Sequence, residues 1–226
     1  MPPYQPGADT RNRLMEAAAE VFAEHGFHHA RVSDICRIAQ ANIAAVNYHF
    51  GDKEQLYVAV IQRLHEEEMM DAPYLRVDGG LSADERLHAF IKEFLADLLR
   101  SCPSARLGKL MAREMIDPTK ALDFIVENVV RPINQFLRGI VADILEIAST
   151  DERVGLCAAS ILSQCMVYFT SKEIALRMDP KIINDDHTYD SATIEQLAEH
   201  ITRFSLRGMQ GLTGSETLGS MIPSGR

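Results

Sequence analysis

Residues 39–54 read Ala39-Gln40-Ala41-Asn42-Ile43-Ala44-Ala45-Val46-Asn47-Tyr48-His49-Phe50-Gly51-Asp52-Lys53-Glu54. Asn42 is a natural N-cap, because its side chain can accept a hydrogen bond from a free first-turn N–H. The expected helix covers residues 43–50, and Gly51 ends it. Val46 and Phe50, four apart, share a face and anchor it inward. The remaining positions are slim (Ala44, Ala45) or carry polar groups (Asn47, Tyr48, His49). A helix that enters the major groove needs this combination: room at the backbone, and donors or acceptors for base edges and phosphates. Asn47 can pair with adenine, and the helix N-terminus itself favours phosphate oxygens. Lys53, just beyond the helix, is placed to neutralise a phosphate.

Upstream, Thr10 can cap a helix carrying Leu14, Ala17, Ala18, Val21 and Phe22 at helical spacing. Gly26 is its expected C′ residue, with Phe27 folding back. A short second helix fits residues 33–39, with Ile35 and Ile38 inward. A tight turn at Gln40-Ala41 leads into the third. Three short helices in succession, the last two joined by a tight turn, describe a helix-turn-helix. Gln40 must either avoid positive φ there or accept strain.

Downstream the pattern stays helical. Leu56, Tyr57, Val60, Ile61 and Leu64 form one stripe of a fourth helix, expected from Lys53 to about residue 70. A loop follows to Leu81. Ser82-Ala83-Asp84-Glu85 is a capping box, opening a helix with Leu87, Ile91, Phe94, Leu95 and Leu98. Cys102-Pro103 should break it. The next helix carries Leu107, Leu110, Met111 and Met115 and stops at Asp117-Pro118. A long helical stretch over residues 119–148 should kink or split at Pro132. Ser149-Thr150-Asp151-Glu152 reads as a second capping box before a helix to about residue 178, stopped by Asp179-Pro180. A last helix carries Ile194, Leu197, Ala198, Ile201 and Phe204. The fold class is therefore all-α. Residues 1–8 read as a flexible arm, and residues 213–226 as a disordered tail.

Composition agrees. The chain has 226 residues, of which 46% are hydrophobic, enough for a sizeable core. Its net charge of −9 speaks at first against nucleic acid, but distribution matters more than the sum. Residues 1–53 hold five Lys/Arg against six Asp/Glu, a net −1, while the remainder carries −8. The N-terminal part is thus nearly neutral, which permits DNA binding. Cys36, Cys102, Cys157 and Cys165 form no C-x-x-C pair, and read as small buried apolar side chains. His28-His29 lacks a third ligand nearby and reads as an exposed loop rather than metal. No leader with an apolar core opens the chain, and no stretch approaching a membrane span is expected. No G-x-S-x-G, phosphate loop or H-E-x-x-H suggests an enzyme. No cofactor is expected.

The run from Arg11 to Leu56 resembles the tetracycline-repressor (TetR) family of regulators. The matching pieces are Ala17-Ala18 through Phe22, Gly26-Phe27, Val32-Ser33-Asp34-Ile35, Ala39, and Asn47-Tyr48-His49-Phe50 followed by Gly51-Asp52-Lys53-Glu54-Gln55-Leu56. Arg113-Glu114 with Asp117-Pro118-Thr119, and residues 42–47, resemble the CecR-like subgroup. Three departures stand out. Gln40 replaces a frequent Gly. Arg31 replaces a frequent Ser or Thr, so the cap of the second helix is expected to pass to Ser33. Asn47 replaces a frequent Tyr.

The resemblance implies an N-terminal helix-turn-helix domain over residues 1–53 and a helical ligand-binding and dimerisation domain over residues 54–212. It implies a cytoplasmic homodimer that represses from a palindromic double-stranded operator and is released by a small-molecule effector. The alternative is a helical enzyme or interaction protein without DNA binding. The candidate DNA-facing residues are Arg31, Ser33, Asn42, Ile43, Ala44, Ala45, Asn47, Tyr48, His49 and Lys53. The candidate ligand-facing residues are His88, Phe94, Arg113, Glu114 and Tyr168. Arg113 and Glu114 lie beside Leu110, Met111 and Met115, so one should point inward and need a partner. That partner is either a ligand or an ion pair within the fold. The last two long helices are expected to pair with their copies through Ala158, Ile161, Leu162, Cys165, Ile194, Leu197 and Ile201.

Overall fold

The computed structural model describes residues 6–68, 72–77, 80–99, 106–171, 174, 177–178 and 189–212. These form α1 (Pro6–His29), α2 (Val32–Ile38), α3 (Ile43–Phe50), α4 (Lys53–Glu68), a 3₁₀ turn (Pro73–Leu75) and α5 (Ala83–Leu99). There follow α6 (Arg106–Glu114), α7 (Ala121–Ile125), a π turn (Val126–Val130), α8 (Arg131–Leu145), α9 (Glu152–Thr170) and α10 (Ser191–Gln210). Among the described residues there is no strand. The expected arm, the Cys102-Pro103 and Asp179-Pro180 breaks and the expected tail lie outside the described residues, apart from residues 6–8 at the start of α1.

The described residues divide into two compact units. One holds α1–α4, α6, α7 and the π turn; the other holds the 3₁₀ turn, α5, α8 from Pro132 onward, α9 and α10. The compact units part after Asp71 and at Arg131–Pro132 rather than at residue 53: α4 packs on α1 and α3, α6 on α1 and α4, and α7 on α4 and α6. The first unit is centred on Leu14, Phe22, Ile35, Val46, Leu56, Tyr57 and Leu110, all at most 1% exposed. The second is centred on Leu87, Phe90, Ile91, Leu95, Leu137 and Val141, all fully buried.

Several helix ends differ from expectation. α1 begins before Thr10, so Thr10 lies inside the helix and is not its cap. Helical geometry fails at Gly26 (φ 73°, ψ 170°), where the expected break falls. Ser82 and Glu85 make their reciprocal bonds: the Glu85 carboxylate accepts from the Ser82 N–H at 2.9 Å, and Ser82 Oγ accepts from the Glu85 N–H at 3.3 Å. At α9 the cap is Asp151, which accepts from the Arg153 N–H at 2.9 Å, rather than Ser149. The helix starts two residues later than that box requires.

The helical segment around Pro132 is interrupted one turn earlier than expected, by a π turn rather than at the proline itself. The segment runs from Ala121 to Leu145 with a π turn just before the proline. Pro132 offers no N–H to the Asn128 carbonyl, and its ring crowds that carbonyl. Widening the preceding turn relieves the clash. The Arg131 N–H then bonds to the Val126 carbonyl, and Asn128 Nδ2 caps the Phe124 carbonyl at 2.9 Å.

Among the described residues one helix, α9, is long and apolar enough to cross a membrane by length and composition alone, contrary to expectation. Its apolar residues have another use. Val154, Ala158, Ile161 and Cys165 are buried against α5 and α10 of the same unit.

Candidate nucleic-acid interface

The turn between α2 and α3 is closed by two crossed backbone bonds. The Ala41 N–H reaches the Cys36 carbonyl at 2.9 Å, and the Gln40 N–H reaches the Arg37 carbonyl at 3.4 Å. This is a Schellman motif, which requires a left-handed C′ residue. Gln40 takes that role at φ 50° and accepts the strain a glycine would avoid.

Asn42 caps α3, its Oδ1 accepting from the Ala45 N–H at 2.9 Å. Val46 and Phe50 are buried as expected. Ile43, Ala44, Asn47 and Tyr48 are exposed on the outward face, Tyr48 at 85%, and Ala45 and His49 are half-buried. The Tyr48 and His49 rings meet edge to face at 5.0 Å, which limits where each can point. Gly51 ends the helix at φ 87°. α3 thus presents Ala44, Asn47 and Tyr48, with Ile43 at its start, from a fixed base.

Arg31 occupies the N-cap position of α2 without a side-chain cap bond, and its side chain is exposed. Ser33 is exposed too but does not cap: α2 starts at Val32, so Ser33 is already inside the first turn. Lys53 is less free than expected. Its Nζ donates to the His28 carbonyl at 3.4 Å and stands 4.7 Å over the Phe27 ring. Partial burial lowers its pKa. An ammonium has three donors, so Lys53 can fix the end of α1 and still meet an anion.

The ligand-facing candidates fall into separate clusters. In the first unit, Arg113 and Glu114 do not pair with each other. Arg113 Nη2 donates to the Glu24 carbonyl at 2.7 Å, beside the Gly26 break. Glycine suits that point because its φ is positive; an added Cβ would also lie 2.7 Å from Arg113 Nη1, so the tip of that side chain would have to shift. Glu114 is 1% exposed. Its carboxylate accepts from Tyr57 Oη at 2.9 Å, from the Thr119 N–H at 2.8 Å and from Thr119 Oγ1 at 3.0 Å. Burial and the neighbouring Glu114 charge push the Tyr57 phenol up, so it stays a donor. Reading the sequence missed Tyr57 and Thr119 as partners; Tyr57 read only as one of an apolar stripe.

In the second unit, His88 has both ring nitrogens on α10, with Nε2 3.1 Å from Glu195 and Nδ1 3.4 Å from Thr202 Oγ1. Lys92 shares the Glu195 carboxylate at 2.7 Å. Phe94 stacks on Phe90 at 5.7 Å and meets Tyr74 edge to face at 5.3 Å. Tyr168 is half-buried, and its carbonyl accepts from Tyr189 Oη at 3.0 Å.

The expected pairing surface is corrected in detail. Ala158, Ile161, Cys165, Leu197 and Ile201 are buried within a single chain, and Leu162 and Ile194 are half-buried. The outward side of the same two helices instead carries an apolar groove of about 340 Å³. Leu156, Ser160, Phe204, Gly208 and Leu212 line it together with the buried Cys157 and Ile161, and Phe204 is 64% exposed.

Comparison with known proteins bears on both parts. Residues 14–60 match the family of bacterial regulatory proteins of the tetR type, and residues 83–209, more than half of the chain, match the C-terminal domain of the HTH-type transcriptional dual regulator CecR. The CecR protein of Shigella flexneri is 27% identical over 180 residues, covering 75% of this chain and 80% of that protein. The fold resembles that of AibR, solved in complex with isovaleryl coenzyme A and operator DNA (TM-score 0.60, 17% identity, 86% of this chain and 97% of that one). It also resembles FadR from Bacillus subtilis, solved in complex with stearoyl-CoA (TM-score 0.58, 18% identity, 87% and 98%). The chain belongs to the TetR family of bacterial transcriptional regulators and carries the C-terminal domain of the CecR type.

Proposed function

We propose that the protein is a cytoplasmic homodimer that represses transcription from a palindromic operator and is released by a small-molecule effector. The observation that carries the reading is α3: a capped eight-residue helix, anchored by Val46 and Phe50, with Ala44, Asn47 and Tyr48 on its outward face. Arg31, Ser33, Asn42, Ile43, Ala44, Ala45, Asn47, Tyr48, His49 and Lys53 form the DNA-facing set. One head reads too few base pairs for useful specificity, so two heads related by a two-fold axis read two half-sites. A second copy of the chain covers the groove on α9 and α10.

The effector belongs to the acyl-thioester class found in AibR and FadR, and it favours the spacing of the two heads that DNA does not accept. In the second unit, Phe94 offers an apolar aromatic wall, and His88 and Tyr168 offer polar groups. Arg113 and Glu114 answer to the effector through the helix ends they hold. Selection of bound genomic fragments, followed by titration of the selected duplex with a panel of acyl-CoA thioesters, tests the whole reading. Salt-dependent binding to a palindrome and its loss on adding one thioester are expected. Absence of duplex binding would refute the regulator, and binding unaffected by every thioester would refute the effector class.

A further inference from the structure

Arg11 lies near the start of α1, and its side chain is exposed. Its guanidinium carbon stands 5.3 Å from the centre of the Phe50 ring. Phe50 is the last residue of α3 and is 7% exposed, so the ring is a fixed platform. Of the other cations in residues 1–53, Arg13 pairs with Asp9 at 3.2 Å, Arg37 faces Asp34 at 3.7 Å, Lys53 shares its ammonium with the His28 carbonyl, and Arg31 is exposed at the start of α2. Among the described residues no carboxylate pairs with Arg11. Arginine suits such a position, because it can lay one face on a ring while its in-plane N–H groups remain free.

We infer that Arg11 binds a DNA phosphate beside the bases read by α3, with its guanidinium oriented by the Phe50 ring. The inference rests on the DNA-binding reading above. It adds a contact from α1, outside the helix-turn-helix pair itself. A phosphate is the fitting acceptor. The base-facing side chains sit on α3, whereas Arg11 reaches the end of that helix from another element, and phosphates line the edges of the groove. The charge distribution makes the contact consequential. Residues 1–53 carry a net −1, so each unpaired cation supplies a large share of the charge that must displace counterions.

The test uses the full-length protein, the duplex selected from genomic fragments and an unrelated duplex, over a range of salt. Arg11→Met keeps an unbranched apolar chain on the ring and removes the charge. Its salt slope should fall by about 0.9, and its affinity about fivefold at about 0.15 M salt, by the same factor on both duplexes. Arg11→Lys should restore the slope. An unchanged slope in Arg11→Met overturns the inference, whether or not its melting temperature falls. A loss confined to the selected duplex also overturns it, since Arg11 would then read a base. If the wild type shows no salt-dependent binding to either duplex, the DNA-binding reading fails first, and the inference with it.

Discussion

Glu114 shows how a buried charge is settled by hydrogen bonds rather than by a counter-ion. Its carboxylate takes three donors from α4 and the segment after α6, and each bond to a charged acceptor contributes about 1.5–3 kcal/mol. Tyr57→Phe removes one donor and should destabilise the first unit by about 1–2 kcal/mol. Glu114→Ala deprives all three donors of that acceptor and should cost more, about 3 kcal/mol. Denaturant melts check the order: an unchanged Tyr57→Phe would mean that the Tyr57 bond contributes nothing, and a loss equal to that of Glu114→Ala would mean that the Thr119 bonds contribute nothing. His65 lies on α4 with its Nδ1 buried and without a hydrogen-bond partner, and its ring edge to face with Phe124 at 5.5 Å. Burial holds its pKa below the ordinary value. The folded chain therefore binds fewer protons than the unfolded one. The associated stability is complete above the unfolded value of about 6.5 and is lost as pH falls below it. His65→Leu should flatten the fall in melting temperature between about pH 6.5 and 5, and parallel curves for the two proteins would remove His65 as a cause.

At the scale of elements, α3 was legible because everything that shapes it is local. The cap, the two anchors and the terminating glycine lie within ten residues of sequence. The Gln40 turn was legible as a conflict, and the structure resolves it toward strain. Gln40→Gly should then raise stability by up to about 1 kcal/mol, or about 2–4 °C in melting temperature. A lower melting temperature would mean that the Gln40 side chain has a role the backbone does not show. Asn42→Ala should cost about 1 kcal/mol by removing the cap, and Asn42→Ser should restore most of it. Arg113 and Glu114 were legible only as a need for partners. Two of those partners, the Glu24 carbonyl and Tyr57, lie far away in the chain, where helical periodicity carries no information, and the third, Thr119, lies just beyond the end of α6. The π turn was missed for another reason. Proline forbids one bond and creates one clash, but how the helix answers depends on the preceding turn.

For the whole molecule, the question is which face of α9 and α10 meets a second copy. Periodicity found the inward stripe correctly as apolar, and the structure assigns that stripe to the core of one chain. The outward groove was harder to see, because its Ser160 and Gly208 are small rather than hydrophobic and its large residues, Leu156 and Phe204, lie among charged neighbours. Ile161 and Phe204 both line the groove, one buried and one exposed, and they make opposite predictions. Ile161 is 1% exposed within the single chain, so Ile161→Asp should unfold the second unit rather than release a monomer, with a loss above about 3 kcal/mol. Phe204 is 64% exposed, so Phe204→Asp should leave the fold and its helical content intact. In the proposed dimer that same change buries a carboxylate in an apolar contact and should shift the protein to a monomer at micromolar concentration in sedimentation. Operator affinity should fall at least tenfold with it, because the two heads no longer bind as one. A folded Phe204→Asp protein that still sediments as a dimer would place the interface elsewhere, and a wild type that sediments as a monomer would refute the dimer itself.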